Sequence, residues 1–188
     1  FTIDGRISRI NSDGFIDRAS ADLESFYLSA AMTNKKSMLR FNVFSGHEVT
    51  YQAWNGVPAA FVDDPELRTF NSAGTEKEGE PYDNEVDDYR QTHYQLLYNN
   101  QLARDWNANI ALHYTRGMGF FEQYKADENF SDYNFQPIEV GEETISNTDL
   151  IRQLWLDNHF YGTIYSLNYD NDRLDATLGG AYSRYEGG

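Results

Sequence analysis

The chain offers few residue sets that could do chemistry. It has no cysteine, so thiolate ligands, disulfides and a cysteine nucleophile are all excluded. Its four histidines, His47, His93, His113 and His159, are dispersed, with no HExxH spacing and no cluster of His with carboxylates. They read as polar strand and loop residues. His47-Glu48 is the nearest approach to a pair, and adjacent strand residues face opposite ways. Acids crowd the stretch Glu76, Glu78, Glu80, Asp83, Glu85, Asp87 and Asp88, a composition calcium uses. The D-x-[DN]-x-[DN]-G spacing is missing, so solvated loop charge is the plainer reading. No Ser, His and Asp order suggests a triad. Catalytic residues, metal ligands and cofactors are therefore assigned to none, and the chain reads as a non-enzyme. The aromatic residues Tyr51, Trp54, Tyr82 and Tyr89 are better candidates, since amphipathic rings with few torsions make contact surfaces for flat ligands and sugars. Packing within the loop is the plainer role for each. Arg40 and Arg116 are candidates to meet an anionic ligand inside a polar lumen, with pairing to nearby carboxylates as the competing role.

These residues sit on a strongly acidic chain. Fifteen Lys and Arg stand against 30 Asp and Glu over 188 residues, giving a net charge of −15 and a mean hydropathy of −0.69. Nucleic-acid binding through a cationic face is excluded, as is docking on anionic lipid through a polybasic patch. Residues 48–90 carry a net −8 and residues 120–150 a net −7, which is the entire excess. Both segments contain the Pro, Gly, Asn and Ser of loops. They are far longer than ordinary connections, as functional or disordered loops are.

Between them the period is two. Phe26, Leu28, Ala30 and Met32 share one side of a strand, as do Leu39, Phe41 and Val43, then Tyr94, Leu96 and Tyr98. Ala108, Ile110, Leu112 and Tyr114 follow, then Tyr161, Thr163, Tyr165 and Leu167, then Leu174, Ala176 and Leu178. Residues 3–10 add a weaker strand, making about seven. Short connections at Asn34-Lys35-Lys36, Arg104-Asp105 and Tyr169–Arg173 alternate with long ones near 12–21, 48–90 and 120–150. In an antiparallel up-and-down meander this puts every short turn at one end and every long loop at the other. Two architectures accommodate that. A soluble sandwich hides its apolar faces in a core, and its loop carboxylates could then serve a carbohydrate-active or glycan-binding site. A transmembrane barrel turns them to lipid and keeps a polar lumen. Strands of roughly 9–12 residues and aromatics at strand ends (Trp106, Tyr114, Trp155, Tyr169, Tyr182) favour the barrel.

Longer motifs carry a resemblance. The run Phe41-Asn42-Val43-Phe44-Ser45-Gly46-His47-Glu48-Val49-Thr50-Tyr51-Gln52-Ala53-Trp54-Asn55-Gly56-Val57-Pro58 resembles TonB-dependent outer-membrane receptors of the Bacteroidetes type. So do Tyr82-Asp83-Asn84-Glu85-Val86-Asp87-Asp88-Tyr89 and Ala111-Leu112-His113-Tyr114-Thr115-Arg116-Gly117. Phe121-Glu122-Gln123-Tyr124-Lys125, Trp155-Leu156-Asp157-Asn158-His159-Phe160-Tyr161-Gly162 and Gly179-Gly180-Ala181-Tyr182-Ser183-Arg184-Tyr185 continue it in order along nearly the whole chain. The resemblance implies a barrel of about 22 strands around a plug domain, in the outer membrane. It also implies uptake of a scarce nutrient (a ferric siderophore by default, or haem, cobalamin or a glycan) driven through TonB. Residues 1–188 would be an internal part of the barrel wall, with no plug, TonB box or signal peptide among them. Expected partners are the nutrient, outer-membrane lipid and lipopolysaccharide, and, through the remainder of such a receptor, plug and TonB complex. An isolated piece of wall is expected to self-associate through its edges.

Overall fold

A computed structural model describes all of residues 1–188. The chain is one antiparallel meander. Its strands are β1 (Thr2–Ser12), β2 (Ala21–Thr33), β3 (Ser37–Tyr51), β4 (Val86–Ala103) and β5 (Trp106–Asn129). After a small hairpin of β6 (Ile138–Val140) and β7 (Glu143–Ile145) come β8 (Asn147–Asn171) and β9 (Leu174–Gly187). The main sheet has the order β1-β2-β3-β4-β5-β8-β9. The all-β class, the seven-stranded meander and the segregation of short turns from long loops are as the sequence predicts. The sheet is open, since β1 pairs only with β2 and β9 only with β8.

The short turns have a local cause. Asn34 Oδ1 accepts from the backbone N–H groups of Lys36 and Ser37, both at 2.8 Å. Asn171 Oδ1 does the same for Arg173 and Leu174, at 2.9 Å each. An asparagine bonding its own backbone two and three residues on closes the hairpin without glycine. At the other end the strands outrun expectation. The connections shrink to residues 13–20, 52–85 and 130–146, because β5 and β8 stay paired from Trp106 and Tyr169 up to Asn129 and Asn147. A bulge between Lys125 and Glu128 absorbs one irregularity. Glu122, Asp127, Glu128 and Asp149 are therefore strand residues. Acidic composition masked the period there.

Register sorts the side chains into two faces. One carries rows of mutually opposed apolar residues: Met32, Leu39, Tyr98, Ile110 and Tyr165; then Ala30, Phe41, Leu96, Leu112, Thr163 and Tyr182; then Leu28, Val43, Tyr94, Tyr114 and Tyr161. The other carries Ser29, Asn42, Gln95 and His113 in one row, and Asn99, Asn109 and Ser166 in another. These amides bond sideways, Asn42 to Gln95 at 3.1 Å and Asn109 to Ser166 at 3.1 Å.

Neither face is covered by a second layer, so the chain builds no sandwich. A compact monomer of this mass exposes about 9,200 Å², whereas this chain exposes 13215 Å². Only 13 of 188 residues are buried, and just three of those are large or small hydrophobics, Ala31, Tyr51 and Phe130. Ile7 is 89% exposed and Leu178 75%. Burial of such groups is normally the dominant force of folding, and here it is left unused.

Candidate functional site

The loop end is built differently. Tyr51 closes β3 and is 6% exposed. Its hydroxyl donates to the Tyr82 carbonyl at 2.5 Å and lies 3.3 Å from the Ala73 carbonyl. Arg18, from the β1–β2 connection, donates to that hydroxyl at 3.2 Å and to the Asn71 and Ala73 carbonyls at 2.8 Å each. Gly74 takes a positive φ of 79° against this cluster, where a Cβ would collide with the Tyr51 hydroxyl and the Tyr82 backbone. One phenol and one guanidinium thus tie the β1–β2 connection and the end of β3 to the β3–β4 connection.

Two carboxylates complete the knot. Glu85, 5% exposed, accepts the Gly74 N–H at 2.8 Å and the Tyr124 N–H at 3.2 Å. Glu122, also 5% exposed, accepts from the Tyr82 hydroxyl at 2.7 Å and from the Asn84 and Gln153 amides at 2.6 Å each. Burial alone would raise the Glu122 pKa, but its three donors stabilise the ionised form and hold it below the ordinary carboxylate value. Burial, and then the bond to Glu122, push the Tyr82 phenol up to about 12. Glu76 is lowered as well: burial opposes this, and Lys125 at 2.6 Å with the Ala126 N–H outweighs it. Buried Gln52 and Asn71 tie in the backbone: Gln52 donates to the Glu122 carbonyl at 2.9 Å, and Asn71 to the Asp17 and Gln52 carbonyls.

The four aromatic candidates therefore divide. The hydroxyls of Tyr51 and Tyr82 are taken up inside the knot, where Tyr51 is buried and Tyr82 half-buried. Tyr89 is a β4 residue rather than a loop residue, and its ring lies over Gly117, where a Cβ would meet it. Trp54 remains available. It is 59% exposed, donates to Asp87 at 3.1 Å and rests edge-on against Phe121 at 5.4 Å. It borders a polar pocket of about 220 Å³ together with Asn55, Glu76, Gln123 and Lys125.

The arginines also separate. Arg40 is opposite Ala31 and Leu97, on the same face as Asn42, and its Nε is buried without a hydrogen-bond partner. Arg116 shares the parity of Leu112 and Tyr114, so its expected place on the polar face is corrected. It forms a two-pronged pair with Asp157 at 2.9 and 3.1 Å. The reason is visible in the register, because Arg116 is one member of a belt. Toward the loop end, staggered from the Tyr161 row onward and interleaved with Ile7, Phe26, Met118, Phe120 and Trp155, the same face carries Arg9, Asp22 and Glu24, then His47, Asp88 and Arg90, then Arg116, Asp157 and His159, then Arg184 and Glu186. Every strand of the main sheet contributes.

Of the knot residues, Arg18, Gln52, Asn71 and Glu122 carry no spacing signal in the sequence, and Glu85 stands out there only as one acid of a stretch that reads as solvated loop charge. No group of three or more His, Asp and Glu converges to hold a metal ion. No protein-family model matches the chain, and no curated protein matches it.

Proposed function

We propose that the chain is a section of the transmembrane wall of a TonB-dependent outer-membrane receptor, with its short turns in the periplasm and its loop end outside. One observation carries this reading: a single-layer sheet whose one face is an uncovered apolar band ended by a charged belt on every strand. On that face the runs Trp106–Tyr114 and Tyr161–Tyr169 each span nine residues, near the roughly 9–11 that a tilted strand needs to cross a bilayer. The opposite face carries the amides, hydroxyls and histidines a wet lumen tolerates. The free edges of β1 and β9 are where further strands would continue a barrel of about 22 strands. The wall's role is passive support, and the loop end supplies part of the vestibule in which a nutrient first lands, with Trp54 as its contact residue. A ferric siderophore is the default cargo, and haem, cobalamin or a glycan are the alternatives. Plug and TonB engage the receptor elsewhere.

Since the chain lacks cysteine, single cysteines at Trp54 and Lys35 report cleanly over this stretch. In intact cells a membrane-impermeant maleimide is expected to label position 54 and spare position 35. Labelling of both, or of neither on a soluble protein, returns the weight to a secreted β-domain.

A further inference from the structure

One pocket stays open beside the knot. Trp54 borders this space of about 220 Å³ with Asn55, Ser72, Glu76, Gln123 and Lys125. Gln123 and Lys125 share the side of β5 that carries Asn109 and His113, so the pocket is on the polar side of the sheet, at the loop end. Its polar groups are fixed by partners and keep hydrogen-bonding capacity to spare. The Trp54 indole N–H is anchored on Asp87 at 3.1 Å while the residue stays 59% exposed. Lys125 gives one of its three N–H groups to Glu76 at 2.6 Å. Asn55 donates to Ser72 Oγ at 2.9 Å, which leaves the Asn55 carbonyl oxygen and the Ser72 hydroxyl hydrogen unused. Gln123 accepts from Arg152 at 2.7 Å, and its own amide reaches Gln52 Oε1 only at 3.5 Å.

Three features restrict the occupant. Pockets that enclose a drug-sized ligand run about 300–1,000 Å³, so this smaller one holds a single ring rather than a whole iron chelate or macrocycle. Glu76 and Glu85 line it against Lys125 alone, which opposes an anionic ligand. All four oxygens of those carboxylates already accept N–H bonds, from Lys125, Ala126, Gly74 and Tyr124, so neither is free to hold a cation. What remains is an exposed indole beside neutral acceptors and donors. We propose that the pocket takes one pyranose ring of a neutral glycan, with its apolar C–H face on Trp54 and its hydroxyls on Asn55, Gln123 and Lys125. Its role as a cargo site rests on the reading of the loop end as an external vestibule, and it names a saccharide there in place of the default iron chelate.

The test uses the whole chain folded into micelles of a detergent without a sugar headgroup. The probes are the methyl glycosides of glucose, galactose and mannose, read by saturation-transfer difference NMR. At least one is expected to bind with a dissociation constant of about 1–10 mM, as suits a single small ring. Trp54→Ala should weaken it at least about tenfold and Trp54→Tyr should restore most of the loss. Trp155→Ala, on the apolar side and outside the pocket, leaves binding unchanged. No signal even at about 50 mM, or a signal that Trp54→Ala does not reduce, overturns the site. Gallium citrate serves as a diamagnetic anionic chelate, and Trp54-dependent binding of it above that of every glycoside also overturns the assignment. Maleimide labelling at position 54 in intact cells reports on the vestibule separately. Labelling without glycoside binding defeats only the saccharide site. Trp54-dependent glycoside binding without labelling upholds the pocket and defeats the external vestibule.

Discussion

The two ends of the sheet are stabilised by opposite means. Along the apolar band, side chains such as Leu112 and Phe41 lie in ordered rows and remain 47% and 41% exposed, covered only by their neighbours in the same sheet. At the loop end, Tyr51, Gln52, Asn71, Glu85 and Glu122 are buried, polar and hydrogen-bonded. A sheet face can stay bare only where something else removes it from water. A polar knot needs no such help, because its groups satisfy one another. The comparison separates the part of the molecule that relies on its surroundings from the part that folds on itself in water.

That separation can be attacked from either side. The largest effect is expected from Leu112→Arg, at the middle of the apolar band, which should cost about 2–4 kcal/mol of stability in a bilayer. Denaturant titration of the vesicle-embedded protein measures it, and an equal loss in detergent-free buffer would break the comparison. Glu122→Ala leaves the Tyr82 hydroxyl and the Asn84 and Gln153 amides without their acceptor. Its cost is about 1–3 kcal/mol, confined to the knot. Amide exchange at Gly74 and Tyr124 should quicken while exchange at Leu96 stays unchanged.

Acid should act on the buried carboxylates of the knot. The folded pKa values of Glu122 and Glu76 lie below their ordinary value of 4.5. Their stabilisation is therefore fully present above that pH and is lost as pH falls through the depressed folded values. Proteolysis within residues 52–85 is expected to rise below pH 4.5 before strand protection changes. The smallest effect is at the far turn. Asn34→Ala removes two exposed bonds to backbone N–H groups and should cost about 0.5–1 kcal/mol, with no change at the loop end.

The period-two pattern revealed the strands because alternation needs only the residues of one segment. Leu39, Phe41 and Val43 mark their face whatever they later touch. It fails above Arg116, where Met118 and Phe120 mix with Glu122 and Tyr124 on one side, so the alternation alone ends β5 near residue 120. Asn71 and Glu85 were illegible for a different reason. Their partners lie between 11 and 54 residues away, at Gln52 and Gly74 of the same connection, at Asp17 of the β1–β2 connection and at Tyr124 of β5, and no local spacing announces them.

By itself the sequence determined the class, the number of main-sheet strands, the positions of the turns and which residues share a face. Those follow from side-chain alternation and from asparagine bonding its own neighbouring backbone. Tertiary structure alone decided which side chains stay free. It tied the Tyr51 and Tyr82 hydroxyls into the knot, left Trp54 exposed and lined up Glu24 with Arg90 across two strands. Register and loop closure make those choices, because they bring together groups far apart along the chain.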